Sequence, residues 1–367
     1  MDITKKEVKL IELFYDLLFV YAISKLTGLI SEPVGGVINH TSFFIYIITS
    51  FVILQGWLYF TNYVNRYGKW RWYEYLIAVV NMISVMYLAN TISTDWIEMA
   101  LPFNISMLIM LFTVLILYII QSKAEKTKNS AANNSISILS VVCFIYIIVL
   151  IAIFLKRDDI VIWIDVVAVL CGAFLPFFIR GKFNKSIINF PHLVERFELL
   201  TIITFGEAVV GISHFFDVTS FNITPILVFL IIISMFGFYV VQIHELTNHM
   251  RSERSLRLMF SHYFIVISIN LTTVAFEWLY SGKVNTTLIS LVIIISLIIF
   301  YISALANKEY YRNNVKLLKS DIIKMILVSI SGILITIIFI NIRYAIYIGI
   351  LVITLGNFLV IHEKLSD

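Results

Sequence analysis

The sequence predicts an all-α membrane protein: a polytopic bundle of about 12 transmembrane helices, arranged as two parallel six-helix halves. Three observations predict this fold. Hydrophobic residues make up 60% of the 367 residues and charged residues only 14%, which excludes an ordinary soluble domain. Apolar runs follow one another along the whole chain, and most could cross about 30 Å of hydrocarbon. Two charged apolar stretches that lie half a chain apart resemble each other.

The apolar runs are separated by short polar segments. The separations are weakest at 156–159 and at 341–343, so ten or eleven spans stay open as alternatives. The predicted spans are roughly 11–30, 41–63, 72–92, 99–120, 136–155, 160–180, 196–215, 223–244, 258–280, 284–306, 321–340 and 343–362.

Basic residues occupy alternate loops. Of the 27 lysines and arginines, twenty-two lie on one side of the predicted topology and four on the other. The positive-inside rule then places this multi-pass protein in the cell membrane with both termini in the cytoplasm. That orientation requires an even number of spans.

The remaining composition argues against several function classes. The net charge of +4 is spread over short loops, which does not indicate a nucleic-acid partner. Motifs such as HExxH, GxSxG and the phosphate loop are absent from the sequence, so an enzyme is disfavoured without being excluded. His244 and His249 are interpreted as a solvated helix end, and neither a metal nor a cofactor is predicted. The expected partners are membrane lipids and an unknown small solute.

The stretch from His192 to Gly211 carries the most ionisable residues of any apolar run. Glu207 lies about 18 Å along the helix axis from Glu195, at about 1.5 Å per residue. This places Glu207 near the bilayer midplane, where a carboxylate is costly unless it is neutralised, paired or hydrated. Glu207 is therefore a candidate substrate or proton site.

The stretch from residue 11 to 30 resembles this one and indicates an internal duplication. Glu12 corresponds to Glu195, which lies 183 residues later, and Lys25 then corresponds to Glu207. The predicted halves are 1–185 and 186–367, with six spans in each and parallel orientation. Lys25 is the expected partner of Glu207, as a structural pair or as part of a proton or substrate site.

Glu12 and Asp16 lie four residues apart on one helix face, so cations are expected nearby. Such a network either fixes helix packing or acts as a cytoplasmic gate, and Asp16 is also a candidate for the substrate or proton site. The aromatic residues around 57–75, including Trp57 and Trp70, are assigned to an interfacial belt. The predicted cytoplasmic charge network consists of Glu12, Asp16, Arg66, His192, Glu195, Arg196 and Arg251.

Two motifs resemble the signature of the bacterial low temperature requirement protein A (LtrA) family. Residues 12–20 read ELFYDLLFV, which is similar to the family's ELFFDLVFV-type motif, and residues 192–197 read HLVERF, followed by GE at 206–207, which is similar to its HLxERF…GE motif. Lys25 stands where the family usually has a neutral polar residue, and Glu198 where a small or neutral residue is expected. The same resemblance extends to Trp57, Tyr59, Asn62, Asn65, Arg66 and His262.

The resemblance implies a membrane protein linked to growth in the cold and to stress tolerance, without a settled substrate. Together with the two-half topology, we expect a secondary transporter or permease of a small solute, with proton coupling as an option. A membrane-embedded enzyme acting on lipid or envelope precursors stays open. So does a non-catalytic membrane component for growth in the cold.

Overall fold

The structure, a computed structural model, describes residues 6–31, 39–125, 131–178, 187–217, 219, 221–251 and 255–365. Within these residues, twelve α-helices are long and apolar enough to cross a membrane, which confirms the predicted all-helical polytopic bundle. The helices are α1 (Leu10–Ser31), α2 (His40–Tyr67), α3 (Trp72–Thr91), α4 (Trp96–Glu125), α5 (Ala131–Phe154), α6 (Asp158–Phe178), α7 (Phe190–Ile212), α8 (Thr224–Tyr239), α9 (Leu256–Ser281), α10 (Thr286–Leu305), α11 (Lys319–Ile338) and α12 (Arg343–His362).

Helix is the only single-segment structure that pairs all of its own backbone groups in hydrocarbon. Specific residues cap several of the helix ends. The Glu74 carboxylate accepts a hydrogen bond of 2.6 Å from the Arg71 backbone N–H at the start of α3. Asn285 caps α10 by accepting from the Thr287 backbone N–H at 2.8 Å. Gly282, with φ of +67°, ends α9 in the left-handed conformation that glycine adopts readily.

The helix bounds differ from the predicted spans at several polar ends. α2 continues to Tyr67 and α4 to Glu125, because helix propagates past the last apolar residue of each run. α8 ends at Tyr239 and continues as a π-helix over Val240–Glu245. The only β-type pairing among the described residues is one isolated antiparallel bridge, between Thr247 and Tyr311.

The chain divides into two compact units. The first contains the described residues up to Leu29 and those from His40 to Arg196. In it, each of α3, α4 and α5 packs against the following helix, and α2 packs against α4 and α6. Asn81 of α3 ties three helices together, because it accepts from the Tyr15 hydroxyl at 2.8 Å and donates to the Met110 carbonyl at 2.8 Å.

The second unit contains Ile30, Ser31 and Asn39, and the described residues from Phe197 onward. Its main helix pairs are α9 with α10, α11 with α12, and α8 with α12. α11 and α12 approach closely at Gly332 and Gly349, where a Cβ on Gly332 would collide with the Gly349 carbonyl oxygen. Small residues at such a crossing are typical of helix packing in membranes.

The predicted boundary between two sequence halves, after residue 185, lies outside the described residues. Several of the basic residues that were counted for the topology lie outside them as well. The relation between two repeated halves therefore stays a prediction.

Candidate functional site

A buried charge network occupies the first unit, between the beginnings of α1 and α7 and the last turns of α2. Glu12, Asp16 and Arg196 are fully buried. The Arg196 guanidinium donates through Nε to Asp16 Oδ2 at 3.0 Å and through Nη1 to Glu12 Oε2 at 2.8 Å. Its Nη2 donates to Asp16 Oδ1 and to the Thr61 hydroxyl. One arginine therefore bridges two carboxylates, and it binds Asp16 through two nitrogens in the planar geometry that suits arginine best.

Two tryptophans complete the coordination of the carboxylates. The Trp57 indole N–H donates to Asp16 Oδ1 at 2.7 Å, and the Trp70 indole N–H donates to Glu12 Oε1 at 3.0 Å. The Trp57 ring also lies under the Arg196 guanidinium, 5.6 Å from its centre. Trp70 has a φ of +56°, which is rare for a bulky residue. The turn between α2 and α3 thus accepts backbone strain where Trp70 reaches Glu12.

His192 joins the network as a neutral imidazole. Its Nε2 lies 2.9 Å from Glu12 Oε2, and its Nδ1 lies 3.1 Å from the Asn65 amide nitrogen. The orientation of the Asn65 amide is fixed by Asn189, because Asn65 Nδ2 donates to the Asn189 carbonyl at 2.7 Å and Asn65 Oδ1 accepts from the Asn189 N–H at 3.2 Å. A donor therefore faces Nδ1, which must accept, and the ring proton lies on Nε2 toward Glu12.

Asn189 also links this arrangement to the beginning of α7. Its side-chain oxygen accepts from the His192 backbone N–H at 3.1 Å, and its carbonyl accepts from the Leu193 N–H at 3.1 Å. Asn65 at the end of α2 is consequently bonded to the residue that caps α7. The amide of Asn65 and the first turn of α7 therefore share Asn189 as a hydrogen-bond partner.

Lys6 and Glu74 lie beside the network. The Lys6 ammonium donates to the carbonyls of Val64 and Gly68 at the end of α2, the latter at 2.8 Å. Burial lowers the pKa of Lys6, while the charges of Glu12 and Glu74 oppose that effect. The charges of Lys6 and Glu74 cancel.

The network itself carries two carboxylates and one guanidinium. With His192 neutral, the charges of these described members add up to −1, one proton short of neutrality. In a buried site such an imbalance is costly, which makes the network a place where a proton can be bound.

The family described as "Bacterial low temperature requirement A protein (LtrA)" matches residues 7–363. The chain belongs to the LtrA family. No curated protein and no solved structure matched it. The two motifs that resemble the LtrA signature meet in the network, since one contributes Glu12 and Asp16 and the other His192 and Arg196.

Of the residues predicted for the charge network, the structure brings together Glu12, Asp16, His192 and Arg196. Glu195 is half-buried on α7. Arg66 is half-buried near the end of α2, where it interacts electrostatically with Tyr67 and Tyr118. Arg251 belongs to the second unit, where it donates to the Glu309 carbonyl.

The predicted midplane pair, Lys25 and Glu207, belongs to different units, and the pairing stays a prediction. Lys25 is exposed, with its ammonium 5.4 Å from the centre of the Tyr21 ring. Glu207 is half-buried on α7, and it is close enough to Glu277 of α9 for the two carboxylates to repel each other. Gly211, one turn after Glu207, makes room for Glu277, since a Cβ there would lie 3.2 Å from the Glu277 carboxylate. Glu207 thus has an acidic neighbour on α9.

Several members of this LtrA protein's network were not predicted from the sequence. Trp57 and Trp70 were assigned to an interfacial belt, but the structure buries both and uses their N–H groups as donors. An indole suits a belt and a buried carboxylate equally well, so composition alone does not separate the two roles. Asn65 was noted only for its resemblance to the family. In the second unit, Glu198, His244 and His249 also converge, although the two histidines were assigned to a solvated helix end.

Proposed function

We propose that this LtrA protein is a proton-coupled secondary transporter of a small solute. It lies in the cell membrane with both termini in the cytoplasm, as the distribution of basic residues indicates. The buried network of the first unit then lies toward the cytoplasmic face. It serves as the element that couples proton binding to a change in helix position.

One observation carries the proposal: the Asn65 amide donor faces Nδ1 of the buried His192, in a network whose described members add up to a charge of −1. Neutralisation by a proton on Nδ1 of His192 requires the Asn65 amide to move away, since two donors cannot face each other. Because the same amide holds Asn189, the hydrogen bonds at the beginning of α7 must rearrange too. Proton binding and movement of α7 are thereby linked, as proton-driven alternating access requires.

The charged groups around His192 agree with uptake of a single proton. Glu12 contacts His192 directly, Arg196 and Asp16 lie in the same network, and Lys6 and Glu74 offset each other beside it. A second proton would give the buried network a net positive charge. Coupling of one proton per cycle at this site is therefore expected.

The test uses the full-length protein in proteoliposomes. Solute uptake and pH-gradient dissipation are measured for a panel of amino acids, sugars, nucleosides and organic acids, with a pH dye inside the vesicles. The His192→Gln variant keeps hydrogen-bonding capacity but cannot carry the proton, so solute-dependent proton flux should disappear. His40→Gln, which changes an exposed histidine of the same unit, is the matched control.

Three outcomes contradict the proposal. The first is a folded wild-type protein that moves none of the solutes and dissipates no gradient. The second is proton flux that is unchanged in His192→Gln. Turnover of a lipid in the same vesicles would instead favour a membrane-embedded enzyme.

Glu207 and Lys25 remain proposed parts of the substrate or proton pathway. In the same assay, Glu207→Gln should lower coupled uptake, because the half-buried carboxylate near the midplane is removed. Glu98→Gln, at an exposed acidic residue of α4, should not. Equal activity of both variants would remove Glu207 from the pathway.

The description of the family names a low temperature requirement. We infer a role of this chain in growth in the cold and in the stress response. Deletion of its gene should slow growth at low temperature more than at the optimal temperature, and the wild-type gene should restore it. If the His192→Gln gene restores growth equally well, the role in the cold does not depend on the buried network.

A further inference from the structure

Three side chains of types that can ligate a metal converge in the second unit, where the end of α8 meets α7. Glu198 comes from α7, His244 from the π-helical end of α8, and His249 from the following loop. One ligand atom of each lies within 4.8 Å of the other two. His244 Nδ1 lies 3.2 Å from Glu198 Oε1, and the two imidazole centres are 5.7 Å apart.

The backbone determines why these side chains meet. Val240–Glu245 is π-helical, and the Leu246 N–H bonds to the carbonyl of Val241, five residues earlier, at 3.0 Å. The wider turn changes the direction of His244 relative to a regular α-helix, and such π-helical turns often occur at functional sites. The loop then returns, so that His249 Nε2 lies 3.0 Å from the His244 carbonyl oxygen.

The spacing fits a tetrahedral transition-metal ion. Bonds of about 2.0–2.1 Å to nitrogen and oxygen place adjacent ligand atoms about 3.3–3.4 Å apart. The pair Glu198–His244 already has this separation, at 3.2 Å. The ligand atom of His249 lies within 4.8 Å of the other two, so a small rotation of that side chain completes the set.

We propose that Glu198, His244 and His249 bind a divalent transition-metal ion, with zinc as the best match. Two imidazoles and one carboxylate form a common three-ligand set for zinc, and they leave a fourth position for water or a further ligand. Imidazole disfavours magnesium and calcium, which select oxygen ligands. The exposed His244 gives the ion access to the site. The site departs from the sequence-based expectation of no metal, and it does not depend on the proposed transport function.

Bound metal would clamp α7 to the end of α8. Because ligands come from α7, from the end of α8 and from the loop after it, binding to the folded state alone should raise the melting temperature, and above the dissociation constant the rise should follow the logarithm of the metal concentration. Binding should weaken on acidification, because protons compete with the metal for its ligands.

The test is equilibrium binding of zinc to the full-length, chelator-washed protein in detergent, after removal of any polyhistidine tag. One zinc ion per chain is expected, with no binding of magnesium. Glu198→Gln, His244→Gln and His249→Gln should each weaken binding by more than about 100-fold, since loss of an outer partner alone costs 10–100-fold. Cobalt provides an independent readout, because its visible absorption reports four-coordinate binding.

The control is His214→Gln, at an exposed histidine of the same unit, which should leave zinc affinity unchanged. Melting temperatures without metal identify any variant that fails to fold, and the other two variants then decide the question. The proposal is overturned if wild-type protein binds no zinc at micromolar concentration. It is also overturned if the folded ligand variants bind as tightly as the wild type.

Discussion

Replacement of Arg196 by methionine should destabilise the protein more than any other single change in the network. Methionine fills much of the same volume, but it leaves Glu12 and Asp16 without the guanidinium that bridges them. Loss of one partner from a buried ion pair costs about 3–5 kcal/mol, and here the two remaining carboxylates also repel each other. We therefore expect a decrease in the free energy of unfolding at the upper end of that range.

The double variant Arg196→Met with Asp16→Asn removes one of the two uncompensated charges. It should be more stable than the sum of the two single changes predicts, with a coupling energy of about 0.5–3 kcal/mol. Trp57 can still donate to the amide oxygen at position 16, so the geometry there is retained. Recovery would identify charge imbalance, rather than lost packing, as the origin of the defect.

The measurement is the unfolding free energy in mixed micelles at neutral pH. Arg312→Met is the matched control, because Arg312 is exposed, and its replacement should change stability by less than about 0.5 kcal/mol. If Arg196→Met is as mild as the control, the guanidinium does not compensate the two carboxylates and the account of the network is wrong.

Three further predictions concern single positions. Trp70→Phe removes the donor to Glu12 and should cost about 1.5–3 kcal/mol in unfolding free energy, whereas Trp72→Phe, at an exposed residue, should be nearly neutral. Gly211→Ala should lower the melting temperature, because the added Cβ would lie 3.2 Å from a carboxylate oxygen and a methyl group of α9. Gly206→Ala should raise it, because the added Cβ would have no atom within 4 Å and alanine favours the helix more than glycine does. The pKa of Lys6 is lower in the folded protein than its ordinary value of 10.5. Between these two pKa values the unfolded chain binds more protons than the folded protein, so stability should rise with pH there. Melting curves of Lys6→Met should lack this rise.

The sequence predicted the helices well because the membrane imposes one dominant constraint. A span must be apolar over about 20 residues and must be helical, so hydropathy alone located all twelve. The helix ends were less predictable. The π-helical end of α8 and the extension of α4 to Glu125 depend on local hydrogen bonding and tertiary contacts, which composition does not encode.

The candidate site was predictable in its charges and not in its neutral members. Carboxylates inside apolar runs need cations, and that requirement gave Arg66, Arg196 and Arg251 as candidates, of which Arg196 contacts Glu12 and Asp16. It did not point to Trp57 or Asn65, because a neutral donor in a span has many alternative roles. The sequence also did not predict that Glu198 lies beside His244, because 46 residues separate them and only the packing of α7 against the end of α8 makes them neighbours.

A network that only fixed helix packing would be expected to reach neutrality, because a residual buried charge lowers stability without any structural benefit. His192 is the residue that could supply the missing positive charge, and a backbone or hydroxyl acceptor at Nδ1 would allow it. The structure instead places an amide donor there and fixes the donor through Asn189 at the beginning of α7. Under the proposed function, this arrangement makes the entry of a proton depend on the position of α7. That dependence is a property of a coupling element, and it is why the buried network is a stronger candidate for function than for stability.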